Sequence, residues 1–306
     1  MDSTQNSANG VAFIYHRDYY CDIGAHVFPM EKYRLVYERL KNEAGVDESA
    51  FFTPETADRE TLEAVHTAEY LDDLENLRMT PDTMSSELPI SEEIIHAYKL
   101  AAGGTCLACE RASETGCAVN LTGGFHHAFA ARAEGFCYIN DIAVAIRYIQ
   151  KTKGIKRAMV VDCDLHQGNG TAKIFQDDPD VFTFSIHQEH LYPLKQKSDM
   201  DIGLDFFTED EIYLSHLKNN IPDIAKKHKP EIMIYVAGAD PFQHDQLGNL
   251  MLTKKGLSER DVVLFSLARD MNIPIVPVLA GGYAQQLDDT VDIHFRMCMN
   301  ALDIFK

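Results

Sequence analysis

The sequence predicts an α/β fold organised on a parallel sheet, and three observations carry that expectation. Short apolar runs at 117–121, 158–161, 181–186, 232–237 and 275–279 alternate with helical stretches, the pattern of strand–helix–strand units. The chain has 306 residues, 45% of them hydrophobic and 25% charged, so it can bury a core without disulfide or metal staples. No linker, repeat or shift in composition divides it, so residues 1–306 read as one domain, with 1–10 as a polar, flexible start.

In order, Val11 to Tyr15 reads as a first strand. Pro29 opens a helix whose apolar positions Tyr33, Val36, Tyr37 and Leu40 recur at helical spacing, with Gly45 placed to end it. A second helix is expected over 61–78, on Leu62, Val65, Tyr70, Leu71 and Leu74, and 79–89 is expected to be a loop with two prolines. Ser91 can cap a long helix to Ala112, weakened in its middle by Gly103-Gly104. Later helices are expected at 140–152, 210–227 and 258–271, the last with a capping-box-like pair, Ser258 and Asp261.

The residues that follow the apolar runs are more informative than the runs. After 117–121 comes Gly123-Gly124-Phe125-His126-His127, and after 158–161 comes Asp162-Cys163-Asp164-Leu165-His166-Gln167-Gly168-Asn169-Gly170. Asp240 follows 232–237, and Gly281-Gly282-Tyr283 follows 275–279. Open parallel sheets bind ligands at the carboxyl ends of their strands, so these groups are expected on one edge. If the chain stays extended past Val161, Asp162, Asp164 and His166 fall on one side. Unpaired buried charge is expensive, and a divalent metal is the simplest compensation. A strand-end turn with solvated or ion-paired carboxylates is the alternative for that segment alone.

Asp164, His166 and Asp240 supply three donors, the number found in a catalytic zinc site that leaves one position for water. His126 or His127 could move the water's proton, and Tyr283 could donate to a developing oxyanion. Together they describe metal-assisted amide hydrolysis, although each of these three residues alone would read as an ordinary buried side chain.

Composition narrows the partners. The net charge of −19, without a Lys/Arg-rich block, argues against a surface built for nucleic acid but not against a cationic substrate. Seven cysteines without a regular framework, Cys106-x-x-Cys109 included, read as reduced thiols of a cytosolic protein. Met1 to Gly10 has no apolar signal core, and no apolar stretch reaches the length of a membrane span.

The segments 123–127, 135–141 (Gly135-Phe136-Cys137-Tyr138-Ile139-Asn140-Asp141), 161–170, 238–241 and 280–283 closely resemble, in order, the zinc-dependent histone deacetylase family. His26-Val27-Phe28-Pro29 and Val65-His66-Thr67 extend the resemblance over nearly the whole chain, most like its bacterial and class IV branch. The resemblance implies a three-layer, arginase-like fold with a mostly parallel sheet of about eight strands between helices. It implies Asp164, His166 and Asp240 as zinc ligands, with iron(II) an alternative occupant, and His126, His127 and Tyr283 as catalytic residues. Gly135, Phe136 and Tyr192 would line a channel for an acyl-lysine stem. A structural potassium ion is implied at Asp162, Asp164, His166, Ser185 and Ile186.

Two departures stand out. Asp162 can serve His126, but Asn169 stands where several relatives offer His127 a carboxylate. An amide orients an imidazole without stabilising its cation, which points to His127 as the neutral base and His126 as the cationic partner. The arginases share the fold and use two manganese ions, but Gly168 and Phe242 occupy the positions of their extra carboxylates, which favours a single metal. The expected substrates are acetyl-lysine, a longer acyl-lysine or an acetylated polyamine. A catalytically silent acyl-lysine binding protein is the alternative from another class. The loops at 19–26 and 79–89, with Asp22, Asp82 and Glu87, would form the channel mouth.

Overall fold

The computed structural model describes residues 10–306, so the expectation of a flexible start lies, for residues 1–9, outside the described residues. One sheet contains β1 (Ala12–Ile14), β2 (Phe51–Phe52), β3 (Ala118–Asn120), β4 (Ala158–Asp162), β5 (Val181–Gln188), β6 (Met200–Leu204), β7 (Ile232–Val236) and β8 (Ile275–Val278). Its order is β2-β1-β3-β8-β7-β4-β5-β6, and every ladder is parallel. The strands from β3 to β7 in that order, together with β4, are almost wholly apolar and buried, as a sheet covered on both faces requires.

Ten α-helices accompany it among the described residues: α1 (Glu31–Asn42), α2 (Arg59–Glu63), α3 (Ala68–Glu75), α4 (Pro81–Met84), α5 (Glu92–Thr115), α6 (Asp141–Lys153), α7 (Asn169–Phe175), α8 (Asp210–His228), α9 (Lys254–Asp270) and α10 (Leu287–Ile304). They pack as two groups. Helices α2 to α7 form one, and α1, α10, α9 and α8 the other.

Register levels the strand ends that matter. Asp162 is opposite Val236, Val236 opposite Val278, and Val278 opposite Asn120. The four segments that follow β3, β8, β7 and β4 therefore leave four contiguous central strands at one height.

Several local expectations change. The stretch 61–78 is two helices, because Thr67 caps α3 by accepting from the Tyr70 N–H at 3.3 Å. His66, in the break, accepts the Asn140 N–H at 3.1 Å through Nε2. The loop at 79–89 contains α4, closed by a capping box between Thr80 and Thr83 with Pro81 at the first position. Helix α9 starts at Lys254 under a Thr253 cap, so Ser258 lies inside it. The extended backbone past Val161 ends at Asp162, and a bend, not strand alternation, brings Asp164 and His166 together. All seven cysteines are buried free thiols. No helix among the described residues is long and apolar enough to cross a membrane.

Candidate active site

The floor of the site is set by three carboxyl and imidazole side chains. One ligand atom from each of Asp164, His166 and Asp240 lies within 4.8 Å of the others, and all three residues are buried. Nδ1 of His166 is 3.3 Å from Asp164 Oδ1 and 3.3 Å from Asp240 Oδ2. A tetrahedral zinc with bonds of about 2.0–2.2 Å separates its ligands by about 3.3–3.6 Å, so these edges match one. Asp240 Oδ2 is buried without a hydrogen bond, whereas Oδ1 accepts the Leu165 N–H at 3.0 Å. An orphaned carboxylate oxygen of this kind is what an ion would satisfy. Asp164 Oδ2 accepts the Gly281 N–H at 2.9 Å. A Cβ at Gly281 would fall 2.2 Å from Asp240 Oδ2, so the turn before Tyr283 is glycine to make room for the ligand set. The residues present fit a divalent ion.

The tandem histidines stand beside this set because Asp141, at the start of α6, anchors their loop. Its oxygens accept the N–H groups of Gly124 and Phe125 at 3.1 and 2.8 Å, and the Thr105 hydroxyl at 2.6 Å. His126 Nδ1–H donates to Asp162 Oδ2 at 2.7 Å. His127 Nδ1–H donates to Asn169 Oδ1 at 2.8 Å, and the two Nε2 atoms are 3.1 Å apart. The Asn169 amide cannot be flipped without loss, because Oδ1 also accepts the Gly170 N–H at 3.0 Å and Nδ2 donates to Glu134 Oε1 at 2.6 Å. His127 therefore carries its proton on Nδ1 when neutral, and Nε2 keeps a lone pair.

The two imidazoles titrate apart. Burial opposes a charge on His126, but Asp162 and Asp164 and the hydrogen bond to Asp162 outweigh it, and its pKa is pushed up to about 9. Burial, followed by the neighbouring charges of His126 and His166, holds His127 well below the usual imidazole range. Tyr283 is pushed well above the usual phenol range by burial and then by Asp240 and Asp164, so it remains an O–H donor.

A cavity of about 210 Å³ leads to this floor, lined by Glu87, His127, Gly135, Phe136, His166, Leu191, Tyr192, Leu247 and Tyr283. Phe136 has φ 63°, rare for an aromatic residue, and is pinned by its N–H to the Ser86 carbonyl at 2.8 Å and by the Tyr98 hydroxyl on its own carbonyl. Gly135 precedes it at φ 50°, and a Cβ there would meet His127 at 2.7 Å and the Tyr192 hydroxyl at 2.8 Å. The ring of Tyr192 lies 5.5 Å from that of His127 and 6.2 Å from that of His166.

The other expected positions are also placed. Ser185 is opposite Asp162 in the β4–β5 ladder, with Ile186 next to it, which brings three of the positions expected for potassium together. A side chain at Gly168 would collide with Asp162 Oδ2 at 2.3 Å, leaving no space for the extra carboxylate of a two-metal site. Of the three acidic residues in the mouth loops, Glu87 lines the cavity, whereas Asp22 accepts the Gly24 N–H at 2.8 Å. Sequence reasoning missed Glu134 and Lys32. Glu134 had one signal, its place directly before Gly135-Phe136. Lys32 looks like a surface residue of α1 but is fully buried, donating to the Ala280 carbonyl, and burial lowers its pKa to about 8 against the pull of Asp240, Asp164 and Asp245.

Residues 26–298 match the family described as "Histone deacetylase domain". An uncharacterized protein of Picosynechococcus is 38% identical over 97% of this chain and 100% of its own length. "Histone deacetylase 2" of Arabidopsis thaliana is 31% identical over 84% of this chain and 70% of its own. "Acetoin utilization protein AcuC" of Bacillus subtilis is 33% identical over 79% and 69%. The solved HDA15 HD domain superposes with a TM-score of 0.82 over 96% of this chain and 88% of that one, at 23% identity, a likeness in fold.

Proposed function

The chain belongs to the histone deacetylase family, and we propose that it is a metal-dependent hydrolase that removes acyl groups, acetyl first among them, from lysine side chains or related amines. The observation that carries this reading is the convergence of three metal donors, a histidine pair of opposite character and a tyrosine hydroxyl at the end of one narrow, aromatic-walled cavity. In this reading the whole chain acts as one domain.

Asp164, His166 and Asp240 hold a divalent ion, zinc or alternatively iron(II), which when bound supplies Lewis acidity and a water of lowered pKa. The acyl-lysine stem lies between Phe136 and Tyr192, with Gly135 leaving room for it. His127 takes the water's proton at Nε2, because it is neutral and its Nδ1 proton is committed to Asn169. His126, cationic beside Asp162, stabilises negative charge as the water oxygen adds to the amide carbon. Tyr283 donates its O–H to the acyl oxygen as that atom gains charge. The amide C–N bond then breaks as the nitrogen takes the proton held by His127, giving a carboxylic acid and an amine; the acid's remaining proton passes to the amine, and a carboxylate and an ammonium group leave. The five positions around Asp162 and Ser185 form the potassium site of this reading.

The test is turnover of acetyl-, butyryl- and myristoyl-lysine peptides and acetylated polyamines by metal-reconstituted protein. Asp164→Ala should abolish activity together with metal binding. Tyr283→Phe should lower kcat roughly 10²–10³-fold with metal still bound, the loss expected for one oxyanion donor. One equivalent of bound metal without turnover of any substrate would instead indicate a silent acyl-lysine binding protein.

A further inference from the structure

An oxyanion donor works only if its hydroxyl is already where charge will develop, and nothing in the metal site holds Tyr283 there. It follows Gly282, whose φ of 140° is open to glycine and gives the turn no stiffness of its own. Its ring touches Phe28 and Phe136 edge-on, at centroid distances of 5.8 and 6.0 Å, which leaves its height in the cavity to the main chain.

That main chain is gripped from one side by the loop at 244–247. Asp245 Oδ2 accepts the Tyr283 N–H at 2.7 Å. On the Tyr283 carbonyl, Gln246 Nε2–H donates at 2.8 Å and the Gln246 main-chain N–H at 3.2 Å. Asp245 is also bridged antiparallel to Ala284, and the Gln285 N–H donates to the His244 carbonyl at 3.1 Å, so the two loops are zipped for three residues. The other oxygen of Asp245 accepts the N–H of Leu247 at 2.8 Å, and Leu247 lines the same cavity as Tyr283. A buried carboxylate is suited to this place because both of its oxygens only accept, and here each faces a main-chain N–H.

We propose that Asp245 and Gln246 are positioning residues for Tyr283, and that Asp245 ties the height of the phenol to the cavity wall at Leu247. The inference rests on the deacylase reading above, since it gives Tyr283 a hydroxyl whose placement matters. Asp245 and Gln246 touch no reacting atom in it. They act through Tyr283 alone.

A double-mutant cycle tests this on metal-reconstituted protein with an acetyl-lysine peptide, with bound metal equalised before assay. Asp245→Asn presents an amide N–H₂ to one of the two N–H donors, and Gln246→Ala removes one grip on the carbonyl while leaving the charge of the loop unchanged. Each should lower kcat, by about 10–100-fold for Asp245→Asn and less for Gln246→Ala, with KM changed less than about two-fold, as expected for misplacement of a catalytic group. In a Tyr283→Phe background both should cost less than about two-fold more. Losses that multiply with that of Tyr283→Phe, or a kcat unchanged in both single variants, would overturn the proposal and leave the deacylase reading standing. Full activity of Tyr283→Phe would overturn the reading itself and the proposal with it. If Asp245→Asn does not fold, the Gln246→Ala arm of the cycle decides.

Discussion

Asn169 is the residue at which this site departs most from a pair of matched histidine–aspartate dyads, and its neighbourhood says what the departure does. A carboxylate at 169 would stabilise the imidazolium of His127, whereas the amide orients the ring and leaves burial to keep it neutral. The sign of the resulting pH effect is fixed. A base must be deprotonated to work, so kcat/KM falls as pH drops through its pKa, and Asn169→Asp, by raising that pKa, should move the acid limb to higher pH. The single change also sets a new carboxylate against Glu134, which receives the Asn169 amide at 2.6 Å. The double variant Glu134→Gln with Asn169→Asp restores a donor–acceptor pair of reversed polarity, and it should show the shifted limb with the higher kcat of the two. An acid limb that stays in place in both variants would remove His127 from the role of base. Residues of this kind divide by legibility. Asp164, His166 and Asp240 could be read from the sequence because their chemistry is costly to bury without a partner. Glu134, Lys32 and Asp245 could not, because a charged side chain in a helix or loop looks solvated until its tertiary partner is known.

Helix α5 shows the same limit among elements. Its start at Ser91 was legible from the cap, which accepts the Ile94 N–H at 3.3 Å, and its end is set by Gly116 in the left-handed region. Gly103-Gly104 reads as a weak point on helix propensity alone, yet the helix runs through it for 24 residues. The reason is contact. A Cβ at Gly103 would fall 1.9 Å from the Glu55 carbonyl oxygen and 2.9 Å from the Ala57 nitrogen, both backbone atoms of the segment that packs on α5. Gly103→Ala should therefore destabilise the protein by about 1–3 kcal/mol, although alanine is the better helix former, because the overpacked backbone must move. Urea unfolding followed by circular dichroism checks it, and a variant as stable as the wild type would mean that the 50s segment is not held against the helix. Elements missed in the sequence share a cause. β2 is two residues long, the edge strand β6 buries only part of its surface, and α10 hides its helical spacing by placing Thr290, His294 and Asn300 on its buried face. In each, tertiary partners and not local pattern decide the structure.

At the scale of the whole molecule, the sequence indicates that several strand ends deliver polar groups to one edge, but not the order in which the strands lie. That order places β3, β8, β7 and β4 side by side, so segments as far apart in the chain as those of Asp164 and Asp240 meet within one metal-sized space. The consequence is energetic as well as chemical. Asp162, Asp164, Asp240 and Asp245 are all buried near one another at the centre of the sheet's carboxyl edge, and burial with the Asp164 charge pushes the carboxyl of Asp240 up to about 6. Buried like charges oppose folding unless compensated, and the ligand set does not exist in the unfolded chain, so an ion bound there stabilises the native state by mass action. At free metal 100 to 1,000 times Kd the gain is about 2.7–4.1 kcal/mol, which corresponds to a rise in Tm of several degrees. Chelator-stripped protein should therefore melt below the zinc-reconstituted form, and added zinc should restore the difference. Asp240→Asn, lacking one donor and one buried charge, should melt at nearly the same temperature with and without zinc. A wild-type Tm that ignores saturating zinc would place the ion elsewhere, whereas a zinc-dependent rise that survives Asp240→Asn would remove Asp240 from the ligand set.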